Sequence, residues 1–201
     1  MSHKYKDSTE LIEGLGKAGA GLSKGRAYFL KHFGFPFVNS VISWERALDI
    51  FESEGKKMIH LAQSVSNEKL NERVLVSHLF GLEDNSRYYS VSMVLKHVLI
   101  VGTALQNRVP LLSQGKQLEQ EVKIEDYKPY EEIGVEIIDE YEYFLHGFVE
   151  TMKTEVEDIY LENRHEHPWF GNLKAKEWAV MGAIHQIVHR RQMESIIKGL
   201  V

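Results

Sequence analysis

The sequence predicts an all-α protein built as a four-helix bundle with an N-terminal extension. Four long segments have apolar residues spaced three or four apart, which is the spacing of one helix face; they cover 39–66, 90–108, 130–161 and 173–198. No segment alternates apolar and polar residues over the length of a strand, and the prolines at 36, 110, 129 and 168 fall at the edges of these segments. Four helices of roughly 20 to 30 residues around one core are typical of a bundle.

The elements follow in chain order. Residues 1–37 are predicted to be a partly ordered arm, and residues 38–201 the bundle domain. The arm holds five glycines within 14–25, but it lacks the Gly-Lys-Ser/Thr ending of a phosphate-binding loop. We expect the first bundle helix to begin at a cap on Asn39 or Ser40, and a short extra helix to lie within 67–89.

The later helices have equally definite signals. The second is apolar at ten of the fifteen positions 91–105, so it is predicted to be the most buried, and it should end before Pro110. The third should run from Pro129 to about Leu161, and the fourth should stop at Gly199.

Composition excludes several classes of protein. The 201 residues include no cysteine, which excludes disulfides, thiolate metal sites and cysteine nucleophiles. A formal net charge of −5 gives no basic footprint for nucleic acid. Neither a secretory signal nor a run of ~18 apolar residues is recognisable. We therefore expect a cytoplasmic protein that binds neither nucleic acid nor membrane.

Three of the ten histidines stand out as candidate metal ligands. His185 and His189 are four residues apart in an otherwise apolar helix, so their rings share one face about 6 Å apart at Cβ. His97 lies mid-helix among core-type residues and is the natural third ligand. A lone buried histidine would more often be bonded to a backbone carbonyl or hydroxyl, but the three together favour a metal site.

Two known metal chemistries do not fit the pattern. A zincin protease needs glutamate after the first histidine of the pair, and Gln186 stands there. A ferritin-like di-iron site needs two Glu-x-x-His motifs, and the sequence has only Glu162 to His165. His165 and His167 are expected to be solvated in a loop. Surface or core positions without a metal role are expected for His3, His32, His60, His78 and His146.

Three separated segments resemble the DinB/YfiT-like superfamily: 89–97, which ends at His97, 167–178, which ends at Trp178, and 185–192, with His185, His189 and Gln192. The resemblance implies a four-helix bundle that holds one divalent metal ion through the three histidines, with an open position for water. It implies that Gln192 contacts a ligand or the substrate, and that Trp178 lines the substrate pocket, although plain core packing is an equal alternative for Trp178.

The resemblance also implies a function. Members with assigned activities are thiol S-transferases that use a low-molecular-weight thiol, or hydrolases, so we expect a metal-dependent enzyme acting on a small molecule. Zn, Ni or Fe is the expected ion; a water or thiol at the ion would react, and the sequence assigns no catalytic side chain. Any thiol must be a soluble cosubstrate. The alternative is a non-catalytic metal- or ligand-binding bundle, for example a stress-related one. We also expect a homodimer.

Overall fold

The computed structural model describes residues 15–16, 24–119, 121–129 and 133–201, and these residues confirm the predicted four-helix bundle. Two short helices come first, α1 (Lys24–Phe29) and α2 (Phe35–Val41), joined by a π-helical turn at Leu30–Gly34. The bundle itself is formed by α3 (Trp44–Gln63), α4 (Val91–Ser113), α5 (Ile137–Thr154) and α6 (Ala175–Gly199).

Two small antiparallel pairs of strands accompany the helices. The first joins β1 (Val74–Leu75) to β2 (Tyr88–Tyr89), and the second joins β3 (His165–His167) to β4 (Gly171–Leu173). Single 3₁₀ turns lie at Asp84–Arg87 and Ile124–Tyr127. The expected extra helix within 67–89 is therefore wrong, because β1, β2 and a 3₁₀ turn occupy that segment.

The start of the first bundle helix also differs from the prediction. Asn39 and Ser40 lie within α2, and α3 begins only at Trp44. Its cap is Ser43, whose Oγ accepts a hydrogen bond from the backbone N–H of Arg46 at 3.1 Å. The apolar spacing runs through both helices, so it could not reveal the break between them.

Pro110 lies inside α4 instead of after it. Proline lacks the N–H donor and its ring crowds the carbonyl four residues earlier, but its own carbonyl still accepts hydrogen bonds. The backbone N–H of Gln114 donates to that carbonyl at 3.1 Å, and the Ser113 hydroxyl donates to it at 2.7 Å. These bonds carry the helix one turn past the proline. The third helix is also shorter than predicted, since α5 spans only Ile137–Thr154.

The four helices form a ring in which α6 and α5 each lie between α3 and α4. Two glycines allow close approach at these contacts. A Cβ on Gly55 of α3 would lie 2.8 Å from Leu145 of α5, and a Cβ on Gly102 of α4 would lie 2.4 Å from Cζ of Phe144. The apolar faces that meet in the ring form the core. No described helix combines the length and the apolar character that a membrane-spanning segment requires.

Most of the glycine-rich part of the arm lies outside the described residues, so the division at residue 37 stays a prediction. Both the backbone N–H and the backbone carbonyl of the described Gly16 are hydrogen-bonded. Its N–H donates to Asp84 Oδ2 at 2.7 Å, and its carbonyl accepts from Asn85 Nδ2 at 3.1 Å. The segment 24–41 is largely helical, and the predicted boundary falls within α2.

Candidate metal centre

The fold brings His97, His185 and His189 together. His97 lies on α4, and the other two lie one turn apart on the neighbouring α6. One ring nitrogen from each histidine lies within 4.8 Å of the others, and the Nε2 atoms of His97 and His185 are 3.1 Å apart. His97 and His189 are buried, and His185 is half-buried.

Hydrogen bonds to Nδ1 orient two of the three rings. His97 Nδ1 lies 2.7 Å from the Tyr127 carbonyl, which can only accept, so this nitrogen carries the proton. His189 Nδ1 lies 2.7 Å from Gln192 Oε1, and the Gln192 amide donates in turn from Nε2 to the Ser86 carbonyl at 2.6 Å. In neutral imidazoles protonated at Nδ1, the Nε2 lone pairs are left for a ligand.

The three rings are neutral around pH 7. Burial lowers the pKa of His97 and of His185 well below the usual value, and the neighbouring His189 lowers both further. Burial also lowers the pKa of His189 to about 4, although its hydrogen bond with Gln192 acts in the opposite direction. Neutral imidazole is the form that binds a metal ion.

The geometry and the chemistry of the donors fit a divalent ion. In a tetrahedral site with Zn–N distances of 2.0–2.1 Å, two nitrogen ligands lie about 3.3 Å apart. The 3.1 Å between the two Nε2 atoms of His97 and His185 is close to that value. Backbone carbonyl and amide groups behind the ligands are the usual partners of metal-binding histidines. The three histidines together could therefore hold one ion.

A cavity of about 100 Å³ opens over the three histidines. Trp178 lines it, is only 1% exposed, and has an indole N–H that finds no acceptor among the described residues. The guanidinium carbon of Arg108 lies 4.5 Å from the centroid of the Trp178 ring, and its Nη2 donates to the Tyr127 hydroxyl at 3.3 Å. Trp178 is thus packed in the core and also lines the cavity, and its contact with a substrate stays a prediction.

The cavity contains charged groups that sequence reasoning missed. Glu83 and Lys128 form a buried ion pair on its wall, and Lys128 Nζ also donates to Ser86 Oγ at 2.8 Å. The Ser86 backbone is the acceptor of the Gln192 amide, so hydrogen bonds connect the ion pair to His189. These residues lie on turns, where no periodic spacing predicts that they face the cavity. The only sequence feature that pointed to this region was the run of turn-forming residues at 81–86.

The expectation that His165 and His167 are solvated is wrong. His165 is buried at 8% exposure, and His167 lines the cavity with its ring centroid 5.2 Å from that of Trp178. Burial and the nearby Arg108 lower the pKa of His167 to about 3. The reason is the β3–β4 hairpin, which folds this segment back against the bundle. Exposed positions away from the centre are occupied by His32, His60, His78 and His146; His3 lies outside the described residues.

The comparisons with known proteins name no activity. No family model and no curated protein matches the chain. In structure, the chain is similar to the crystal structure of TT2238, described as a four-helix bundle protein. The TM-score is 0.48 and the identity 20%, and the match covers 76% of this chain and 98% of that chain.

Proposed function

We propose that this protein is a metal-dependent enzyme of the DinB/YfiT-like type, a thiol S-transferase or hydrolase that acts on a small molecule. The observation that carries the proposal is the convergence of His97, His185 and His189 on one point beneath a cavity. Hydrogen bonds at Nδ1 of His97 and His189 keep the proton on that nitrogen and leave Nε2 with its lone pair. A core histidine without a ligand is satisfied by ordinary hydrogen bonds at its two ring nitrogens, whereas three converging imidazole nitrogens form a ligand set that suits a divalent ion.

The proposed ion is Zn, Ni or Fe, one per chain. Three neutral imidazoles would leave its charge at +2, which lowers the pKa of a water or thiol in the open position. The absence of cysteine from the chain means that any thiol comes from a soluble cosubstrate.

The positive charge in the cavity wall favours the binding of an anionic reactant. Arg108 has no carboxylate partner within the described part of the chain, and it lines the cavity beside Trp178. The charge of Lys128 is balanced by its ion pair with Glu83, so the charged side chains of this wall have the net positive charge of Arg108. An anion such as a thiolate or a carboxylated substrate is favoured in such a pocket. Within this proposal, an oxygen of Glu83 accepts a proton from the attacking group, and the Trp178 N–H donates a hydrogen bond to the substrate.

Metal titration tests the binding half of the proposal. Zinc calorimetry and elemental analysis of the wild-type protein should give one ion per chain, and His97→Ala and His185→Ala should abolish tight binding. The matched controls are His60→Ala and His146→Ala, which replace exposed histidines and should bind as the wild type does. Wild-type stoichiometry and affinity in both ligand variants would show that the site is elsewhere.

The catalytic half needs its own assay. The metal-loaded protein should catalyse either thioether formation between a small thiol and an electrophilic test compound, or hydrolysis in a panel of esters and amides. Complete chelation should abolish the rate. A rate that survives chelation contradicts the mechanism, and metal binding without any turnover favours the non-catalytic bundle.

A further inference from the structure

A second, larger cavity lies next to the metal centre and is almost entirely apolar. Its volume is about 200 Å³, and the helices α1, α2 and α6, the β3–β4 hairpin and the segment at Phe80 form its walls. Phe35, Phe170, Ile184 and Val188 are among the lining residues, and the imidazoles of His167 and His185 are the main polar groups. We call it the apolar groove.

The apolar groove lies beside the cavity over the histidines and shares part of its wall. Five residues line both: Gly81, His167, Trp169, Met181 and His185. The half-buried His185 is thus a candidate metal ligand on one side and part of the apolar wall on the other.

The two cavities differ in chemistry in a way that matches one amphiphilic molecule. The cavity over the histidines holds Arg108 and the Glu83–Lys128 pair, whereas the groove offers no charged side chain among its lining residues. An apolar cavity of about 150 Å³ accepts a benzene ring in a well-studied protein, so this groove has room for an aryl group or a chain of several carbons. Phe80, 82% exposed, stands at its wall, as expected for a surface that is covered when a ligand binds.

We propose that the apolar groove is the subsite for the alkyl or aryl portion of the substrate, whose polar, reacting end lies at the three histidines. The proposal rests on the proposed function for the identity of that reacting end, but the groove itself can be tested without metal. It assigns α1 and α2, which lie outside the bundle, a role in substrate selection.

The first measurement titrates metal-free protein with straight-chain alcohols from butanol to decanol and follows the change in intrinsic tryptophan fluorescence, to which Trp169 in the groove wall contributes. Affinity should rise about fourfold per added CH₂ until the groove is filled. Phe80→Ala should weaken octanol binding by about fivefold, the loss expected for roughly 40 Å² of apolar contact. Tyr143→Ala is the matched control, because Tyr143 is an aromatic residue of similar exposure, 85%, on α5, and it should leave octanol binding unchanged.

The second measurement uses zinc-loaded protein and straight-chain thiols. At each chain length the thiol should bind more tightly than the alcohol, and Ile184→Trp or Val188→Phe, which fill the groove, should remove the dependence on chain length. Two variants are used so that poor folding of one, checked by circular dichroism, does not decide the result. Chain-length dependence that persists in a folded groove-filling variant overturns the proposal.

The remaining outcomes separate the two proposals. Graded alcohol binding without any zinc binding would keep the subsite and reject the metal centre. Zinc binding with no dependence on chain length would reject the subsite and keep the metal centre. A dimer in light scattering that Phe80→Ala dissociates, with no alcohol binding, would show that a second copy covers the groove and would also overturn the proposal.

Discussion

Replacing Gln192 is the most direct test of the hydrogen bonds that orient the histidines of the candidate metal centre. Its side chain is 0% exposed, accepts from His189 Nδ1 at 2.7 Å, and donates to the Ser86 carbonyl at 2.6 Å. The amide can do both at once, whereas a carboxylate of the same length has no donor at neutral pH. We therefore expect Gln192→Ala to disturb the orientation of His189 without removing any ligand.

The magnitude follows from the two bonds that are lost. Groups that support a metal ligand in this way are typically worth 10–100-fold in metal affinity, which is about 1.4–2.7 kcal/mol. In the metal-free protein the variant leaves a buried N–H and a buried carbonyl without their partner, at a cost of about 1–3 kcal/mol each. Stability should therefore fall more than metal affinity does.

The assay is a zinc competition titration combined with urea unfolding of the metal-free protein. The matched control is Gln106→Ala on α4, which removes a hydrogen bond of 2.8 Å from Gln106 Nε2 to Thr151 Oγ1 outside the cavity. This control should lose about 1 kcal/mol of stability and keep wild-type zinc affinity. Gln192→Glu should stay within about tenfold of wild-type zinc affinity, because it still accepts from His189, while losing stability at the Ser86 carbonyl.

Two results would refute this reasoning. Unchanged zinc affinity in Gln192→Ala would mean that the hydrogen bond does not hold His189 in a productive orientation. A complete loss of zinc binding in a folded variant would mean that Gln192 is itself a ligand.

Further expectations concern pH and packing. The pKa of His167 is about 3 in the folded chain and ordinary in the unfolded chain, so the unfolded state binds more protons below pH 6.5. The share of His167 in the loss of stability between pH 7 and pH 5 should therefore be about 2 kcal/mol, in addition to the shares of His97, His185 and His189, whose pKa values burial also lowers. Urea unfolding should show a fall smaller by about that amount in His167→Gln and an unchanged fall in the exposed control His146→Gln. Gly102→Ala should lower stability by about 1–2 kcal/mol, because its Cβ would lie 2.4 Å from Phe144 Cζ in the core. Gly147→Ala is its control, because the nearest atom to the added Cβ would be 3.8 Å away. Thermal unfolding should show that this variant gains about 0.5–1 kcal/mol of stability. Equal effects at the two glycines would contradict the described packing.

Much of the fold could be predicted from the sequence because helix periodicity is a local property. Apolar residues three and four apart define the face that each bundle helix buries, whatever lies opposite. The same locality makes His185 and His189 neighbours, since four residues along a helix return to one face. The start and end residues of the helices were harder to predict. The apolar spacing continues across Ser43, where α2 and α3 are separate helices. Pro110 predicts a helix end, but α4 continues past it with hydrogen bonds that the Pro110 carbonyl accepts.

The rest of the centre was decided by tertiary structure. His97 meets the histidine pair only because α4 packs beside α6, and His167 is buried only because the β3–β4 hairpin folds back. Glu83, Ser86 and Lys128 lie on turns, where the spacing of residues does not indicate which way a side chain points. Their places depend on contacts between distant parts of the chain, such as the hydrogen bond from Gln192 to the Ser86 carbonyl, whose residues are 106 positions apart. A local pattern specifies which face of a helix is apolar, but the groups that a turn brings to that face are fixed only when the whole core assembles.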